Sequence, residues 1–269
     1  MDIRSPAVRL ENAARQISAQ GRSRGLFIGG PMATALVIDG AYFLRRFKHT
    51  FPHLKPNDPE AIALGVHWMS VWHLAYRRNP KLMAEAISNQ GFLPIESADL
   101  YRIFFYDCPP LQKKMHWPVS KTAVDLSKTS TAIFRTAVHA RLQTVRKVAL
   151  RLGRLSDESS WRLKPEALQR LIKEKSMFVP SDDDFEPDVK QKGVDMRLGL
   201  DVAALAFKRQ VDQIVMIAAD GDFVPAAKIA RREGIDVVLD PMWGIPAPDL
   251  VQHVDGIRQA KMDAPLGTV

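Results

Sequence analysis

Asp195, Asp201, Asp220 and Asp222 fall within Lys192 to Phe223 (KGVDMRLGLDVAALAFKRQVDQIVMIAADGDF), and Asp39 stands far upstream in VIDGAYF. Carboxylate oxygens are hard donors that suit Mg²⁺ or Mn²⁺. Several of them in one place repel strongly unless a cation holds them together. Each also has an ordinary reading. Asp-Gly, as at Asp39 and Asp220, is a frequent turn dipeptide at the end of a strand. Asp195 would serve equally as a helix cap. Asp201 does not share a helix face with Asp195 and would pair with Arg197 at i, i+4, so it is a secondary candidate. The run Asp182, Asp183, Asp184 is set aside, because adjacent side chains diverge and such a loop run is solvated. Asp107, before two prolines, could border the site as a third strand-end acid but reads first as a turn residue.

The elements that must position these acids can be read from apolar runs. Ala33–Ile38 and Gln213–Ala219 have the length of buried strands, and both stop at Asp-Gly. Helices follow both, AYFLRRFKH after the first and VPAAKIARREG after the second. In an open α/β sheet, ligands sit outside the carboxyl ends of the strands. If the two strands are parallel neighbours, their acids meet at one rim. Asp99–Tyr106 is a third strand, rich in aromatic and β-branched residues. Arg146–Leu152 alternates apolar and basic residues and fits a sheet edge. Ile235–Leu239 is the last strand.

Helices are expected over Leu10–Gln20, Pro59–Tyr76, Lys81–Asn89, Thr129–Thr144, Pro165–Lys175, Arg197–Arg209 and Pro248–Val254. Pro59 suits a first helical position behind Asp58. Ile62, Val66, Met69 and His73 recur at helical spacing, so His67, His73, Trp68 and Trp72 are read as packing rather than as a metal or stacking site. Residues 111–128 read as a polar loop, and Lys113, Lys114, His116, Trp117 and Lys121 give it the composition of a single-strand contact. Arg45, Arg46 and Lys48 lie near the acidic rim and could touch a phosphate backbone or simply be solvated.

The chain has 269 residues, a net charge of +8 and 46% hydrophobic residues, enough for one large or two small domains. Its sequence pI of about 9.6 suits a polyanionic partner. One cysteine, Cys108, excludes an internal disulfide and a thiolate cage. No apolar run reaches the ~18 residues of a membrane span. Residues 1–25 lack the apolar centre of a signal peptide. These features lead to the expectation of a cytoplasmic protein that enters no membrane.

The combination of VIDGAYF, KGVDMRLGLD and IVMIAADGDFVPAAKIARREGIDVVL resembles the NYN domain, in its LabA-like or DUF88 branch within the PIN-like superfamily. The resemblance covers about residues 33–48 and 99–257. It implies an α/β fold with a doubly wound, mainly parallel five-stranded sheet in the order 3-2-1-4-5 and helices on both faces. The expected domains are a tail at 1–31, an NYN/PIN-like domain at 32–258 with a helical insertion at about 50–98, and a tail at 259–269. The resemblance also implies a metal-dependent ribonuclease site formed by Asp39, Asp195, Asp220 and Asp222, with Asp201 matching an aspartate that commonly follows in the same helix. Many members carry Ser-Gly before the paired acids, where this chain has Ala218-Ala219.

The expected activity is Mg²⁺- or Mn²⁺-dependent hydrolysis of RNA, single-stranded or structured. Arg45, Arg46, Lys113 and Lys114 are the candidate strand-binding residues, and homodimerisation is left open. The rival is an inactive RNA-binding or regulatory module that keeps the acidic pocket. A small-phosphate hydrolase is disfavoured. The chain lacks a GxxxxGK[ST] cradle, and Asp39-Gly40-Ala41 lacks the second aspartate of a D-x-D phosphatase loop.

Overall fold

A computed structural model describes residues 33–78, 99–156 and 160–262. The expected helices at Leu10–Gln20 and Lys81–Asn89 lie outside the described residues. Chain order runs β1 (Thr34–Asp39), α1 (Gly40–Thr50), α2 (Pro59–Arg78), β2 (Leu100–Asp107), β3 (Lys114–His116), β4 (Ala123–Asp125), α3 (Ser130–Gln143), β5 (Val148–Leu152), β6 (Arg154–Leu155), β7 (Trp161–Leu163) and α4 (Pro165–Glu174). It continues through β8 (Phe185–Pro187), β9 (Gln191–Lys192), α5 (Val194–Phe207), β10 (Gln213–Ile217), α6 (Val224–Arg232), β11 (Asp236–Asp240), α7 (Pro248–Gln252) and β12 (Gly256–Ile257).

Six strands make one sheet in the order β5-β2-β1-β10-β11-β12, with every neighbouring pair parallel. This is the expected 3-2-1-4-5 arrangement with one addition. β12 extends the β11 edge by two residues and pairs only at Val238↔Gly256 and Leu239↔Ile257. Such a strand has too few residues to show a periodicity, so the expectation of five strands missed it.

The central strands are apolar on both faces because helices cover both, as parallel sheets require. Alternate residues feed two separate cores. Leu36, Ile38, Ile103, Phe105, Val215 and Ile217 pack with α1, α2 and α3. Ala35, Val37, Phe104, Tyr106, Ile214 and Met216 pack with α5 and α6. Phe43, Phe47 and Phe105 form edge-to-face pairs at 5.7 and 5.9 Å in the first core. Each such buried ring stabilises the fold by about 1.5–3 kcal/mol. α2 supplies Ile62, Val66 and Met69 to this core, so the described part of the stretch read as an insertion forms part of one helical layer.

Residues 111–128 hold the antiparallel ribbon β3–β4, where the sequence suggested only a loop. Two more ribbons, β6–β9 and β7–β8, follow β5. All three begin beyond the carboxyl ends of β2 and β5, so they extend the rim at which the acids lie. The Trp117 and Trp161 rings stack at 4.7 Å between two of these ribbons. Among the described residues, no helix is long and apolar enough to cross a membrane.

Candidate active site

β1 and β10 pair from Thr34↔Gln213 to Ile38↔Ile217, so they end together. Neighbouring strands lie about 4.8 Å apart. Asp39 is the last residue of β1, and Asp220 follows β10 after Ala218 and Ala219. The two acids therefore share one rim at the centre of the sheet, as the Asp-Gly pair suggested.

Each acid is oriented by local backbone. Asp39 caps α1, and its Oδ1 accepts the Tyr42 N–H at 3.0 Å. Asp220 caps the turn Gly221–Phe223, and its Oδ1 accepts the Asp222 N–H at 3.2 Å. Asp222 is exposed on that turn. Asp195 lies in the first turn of α5, behind Gly193, which offers no side-chain cap. Asp195 is therefore not the N-cap itself. Among the described residues, no hydrogen bond engages its carboxylate, which leaves it open toward the other acids.

Electrostatics link the four acids. Burial pushes the Asp39 carboxyl above the usual carboxylate range; the Tyr42 and Ala41 N–H groups and Arg45 pull it back, and Asp195 adds to the rise. Asp195 is itself raised, first by burial and then by Asp222 and Asp220. Asp195 is thus the common neighbour of Asp39 on one side and the Asp220–Asp222 turn on the other. Among the described residues, no three His, Cys, Asp or Glu side chains form a ready metal cage.

The other candidates are placed differently. The Asp201 Oδ2 accepts hydrogen bonds from the Tyr106 hydroxyl and the Arg151 Nε, both at 2.9 Å. It ties α5 to β2 and β5, and its cation is Arg151, where the sequence suggested Arg197. Arg45 is exposed, acts on Asp39 and lies 6.0 Å from the Tyr42 ring centroid. Arg46 is engaged by backbone: its Nε donates to Met242 O at 3.1 Å and its Nη2 to Trp243 O at 2.7 Å. Lys114 is exposed on β3, and Lys113 beside it is half-buried. Cys108 is buried, its thiol pushed up to about 11 by burial and Asp107, consistent with a packing residue. Asp182 and Asp184 accept backbone N–H groups of Val119, Ser120 and Ser181, so this run is a set of turn caps.

Sequence reasoning missed two groups at this rim. The Asp249 carboxylate sits 3.1 Å from where a Cβ of residue 221 would stand, a close approach that the glycine between Asp220 and Asp222 eases. Tyr42 also bridges two parts of the rim: its N–H holds Asp39, and its hydroxyl donates to Pro241 O at 2.5 Å. The DGDF spacing hinted at the glycine, but nothing in the sequence pointed to its neighbour.

A doubly wound parallel sheet with an acidic centre outside its middle strands defines a class of α/β proteins that act on ligands at the carboxyl rim. The family model for the NYN domain matches residues 154–254. Over that span the chain is similar to the NYN domain, of the PIN-like superfamily, whose domains are generally nucleases and typically use divalent metals. The matched span includes Asp195, Asp201, Asp220, Asp222 and Asp249, while Asp39 lies before it. An uncharacterized protein of Methanocaldococcus jannaschii is 33% identical over 55 residues, 20% of this chain and 23% of that protein. The chain thus spans less than a quarter of the length of this curated relative. No solved structure matches.

Proposed function

We propose that the chain is a Mg²⁺- or Mn²⁺-dependent endoribonuclease of the LabA-like or DUF88 branch, acting at Asp39, Asp195, Asp220 and Asp222. The observation that carries this reading is the meeting of these acids at the ends of adjacent parallel strands, with Asp195 acting on both sides. The donor set fits a divalent ion: it is all oxygen, and Asp39 and Asp195 both ionise at a cost to which a neighbouring carboxylate adds. Mg²⁺ keeps several waters and commonly takes only one or two carboxylates directly. The absence of a ready three-carboxylate cage among the described residues is compatible with that mode.

Asp39, Asp195, Asp220 and Asp222 would hold the ion, directly or through water. When bound, it supplies Lewis acidity at the phosphate and a more acidic water. The protein's own contribution is positional. The Tyr42 N–H and the Asp222 N–H fix the Asp39 and Asp220 carboxylates from behind. Arg45 beside Asp39 offers a cation to a phosphate oxygen. Lys113 and Lys114, on or beside the ribbon leaving β2, would follow the strand outward. Asp249 would steady the Asp220–Asp222 turn by packing against Gly221.

The test is cleavage of labelled single-stranded RNA, with DNA and a phosphomonoester as comparisons, with and without EDTA. Metal-dependent RNA cleavage that disappears in the Asp39→Asn/Asp220→Asn double variant is the expected result. Undiminished cleavage in that variant removes the assignment. Binding of RNA without metal-dependent product supports the inactive regulatory module instead.

A further inference from the structure

The loop Pro241–Ala247 (PMWGIPA) leaves β11 and crosses the same rim, where the Ala247 N–H donates to Ala219 O at 2.8 Å. Met242 and Trp243 both hold left-handed backbone, with φ of 45° and 61°. Residues with side chains adopt this conformation at a cost on the order of 1 kcal/mol each, and it persists where the surroundings impose it. Here they do. The Asp240 Oδ1 accepts the Met242 N–H at 2.7 Å, Arg46 donates to Met242 O and Trp243 O, and the Tyr42 hydroxyl donates to Pro241 O. Any Cβ on residue 244 would overlap the Tyr42 hydroxyl, so Gly244 is required where the loop passes it.

The two strained side chains meet opposite fates. Met242 is fully buried, but Trp243 remains 50% exposed. Its indole is nevertheless fixed in orientation, because Nε1 donates to Ala260 O at 3.0 Å. The Lys261 Nζ stands 5.8 Å from its ring centroid. A large aromatic plane, half of it open to solvent, is thus held on a braced loop with a cation over one of its faces. Rigid aromatic faces flanked by cations are what unpaired nucleobases stack on, and such stacking tolerates any base because every base has a π-face. Tyr42 relates this plane to the acidic centre: one end of the residue holds Asp39, the other the loop that carries Trp243.

We infer that Trp243 stacks on an unpaired nucleobase of the strand bound at the acidic centre, so that the protein selects single-stranded nucleic acid over continuous duplex. This rests on the proposed reading that the acidic centre takes nucleic acid.

The experiment measures binding rather than cleavage. The whole chain, in EDTA, is titrated into a fluorescent single-stranded RNA, the same RNA with one abasic site moved along it, and a duplex of equal length. Wild type is compared with Trp243→Ala and Trp243→Phe. The expected result is about 5- to 100-fold weaker single-strand binding for Trp243→Ala, the range of base–aromatic stacking, with little change on duplex. Trp243→Phe, which lacks the N–H but keeps a ring, should retain most of the affinity, separating the lost stack from the lost bond to Ala260. An abasic site at one position should weaken wild type by a similar factor and Trp243→Ala not at all. Unchanged affinity of Trp243→Ala, or no position sensitive to base removal, overturns the inference. So does a loss explained by a changed oligomeric state, which would make Trp243 and the exposed Ile245 a protein contact. Position-specific binding without metal-dependent cleavage would sink the nuclease reading and leave this inference standing.

Discussion

Four neighbouring strands of the sheet end at or just before an aspartate, and the four fall into two kinds. On the flanking strands β2 and β11, Asp107 and Asp240 are fully buried, each against a histidine ring nitrogen. The His139 Nε2 lies 2.8 Å from Asp107 Oδ2, and the Arg135 Nη2 lies 3.1 Å from its Oδ1. Asp240 meets His73 Nε2 at 2.9 Å and accepts the N–H groups of Met242 and Ala260. On the middle strands, the hydrogen bonds to Asp39 and Asp220 come, among the described residues, from backbone N–H groups, and Asp195 and Asp222 crowd the same region. Position at a strand end is therefore not what makes an acid a candidate ligand. A buried cationic or histidine partner makes the acid part of the frame; the lack of one leaves a negative centre that favours a cation.

Removing a framed acid should have the largest effect. Asp240→Ala leaves His73 and two backbone N–H groups buried without their acceptor, at a cost of roughly 3–5 kcal/mol. Urea unfolding measures this, and a loss below 1 kcal/mol would erase the distinction between the two kinds of aspartate. The Asp39→Asn/Asp220→Asn pair should act the other way, lowering cleavage at least about 100-fold, or about 2.7 kcal/mol in barrier, while the fold stays intact. Loss of folding in that pair would mean the central acids are framework too.

Gly244→Ala should destabilise by about 1–3 kcal/mol, since the new methyl displaces the Tyr42 hydroxyl that braces the rim. The smallest effect is expected at Asp195. The fold raises the Asp39 and Asp195 carboxyls, so it favours their neutral forms. Their contribution to stability is present below the ordinary carboxylate value and is lost as pH rises through the raised one. Without metal, Asp195→Asn should therefore stabilise the protein near pH 7, by roughly 0.5 kcal/mol or less because the group is exposed and screened. Thermal unfolding at pH 4 and pH 7 should show the gain only at pH 7, and added Mg²⁺ should reverse the ranking. A gain equal at both pH values would disprove mutual repulsion.

The middle strands of the sheet were legible because their signal is local. ATALVI and QIVMIAA are contiguous apolar runs that only a strand buried on both faces tolerates, and each stops at Asp-Gly. The flanks were not legible. His73 and Asp240 are separated by 167 residues, and no spacing rule reaches that far. The sequence suggested packing for His73, and it is buried, but its ring nitrogen also meets the Asp240 carboxylate. β6, β9 and β12 span two residues each and exist only through their neighbours, so propensity could not show them.

Taken alone, the order of residues marked the main apolar strands and the aspartates Asp39, Asp107 and Asp220 that close three of them, because burial periodicity and turn chemistry act over a few neighbours; the parallel sheet and its strand order came with the resemblance to the NYN domain. Only tertiary packing decided which strand-end aspartates were given a buried side-chain partner. It also brought Asp249 against Gly221 and left Trp243 half exposed, with left-handed backbone, on a loop that Tyr42 braces. Those outcomes depend on charges and backbone groups brought together from distant parts of the chain, whose interaction falls off within a few ångströms and so has no counterpart in sequence spacing.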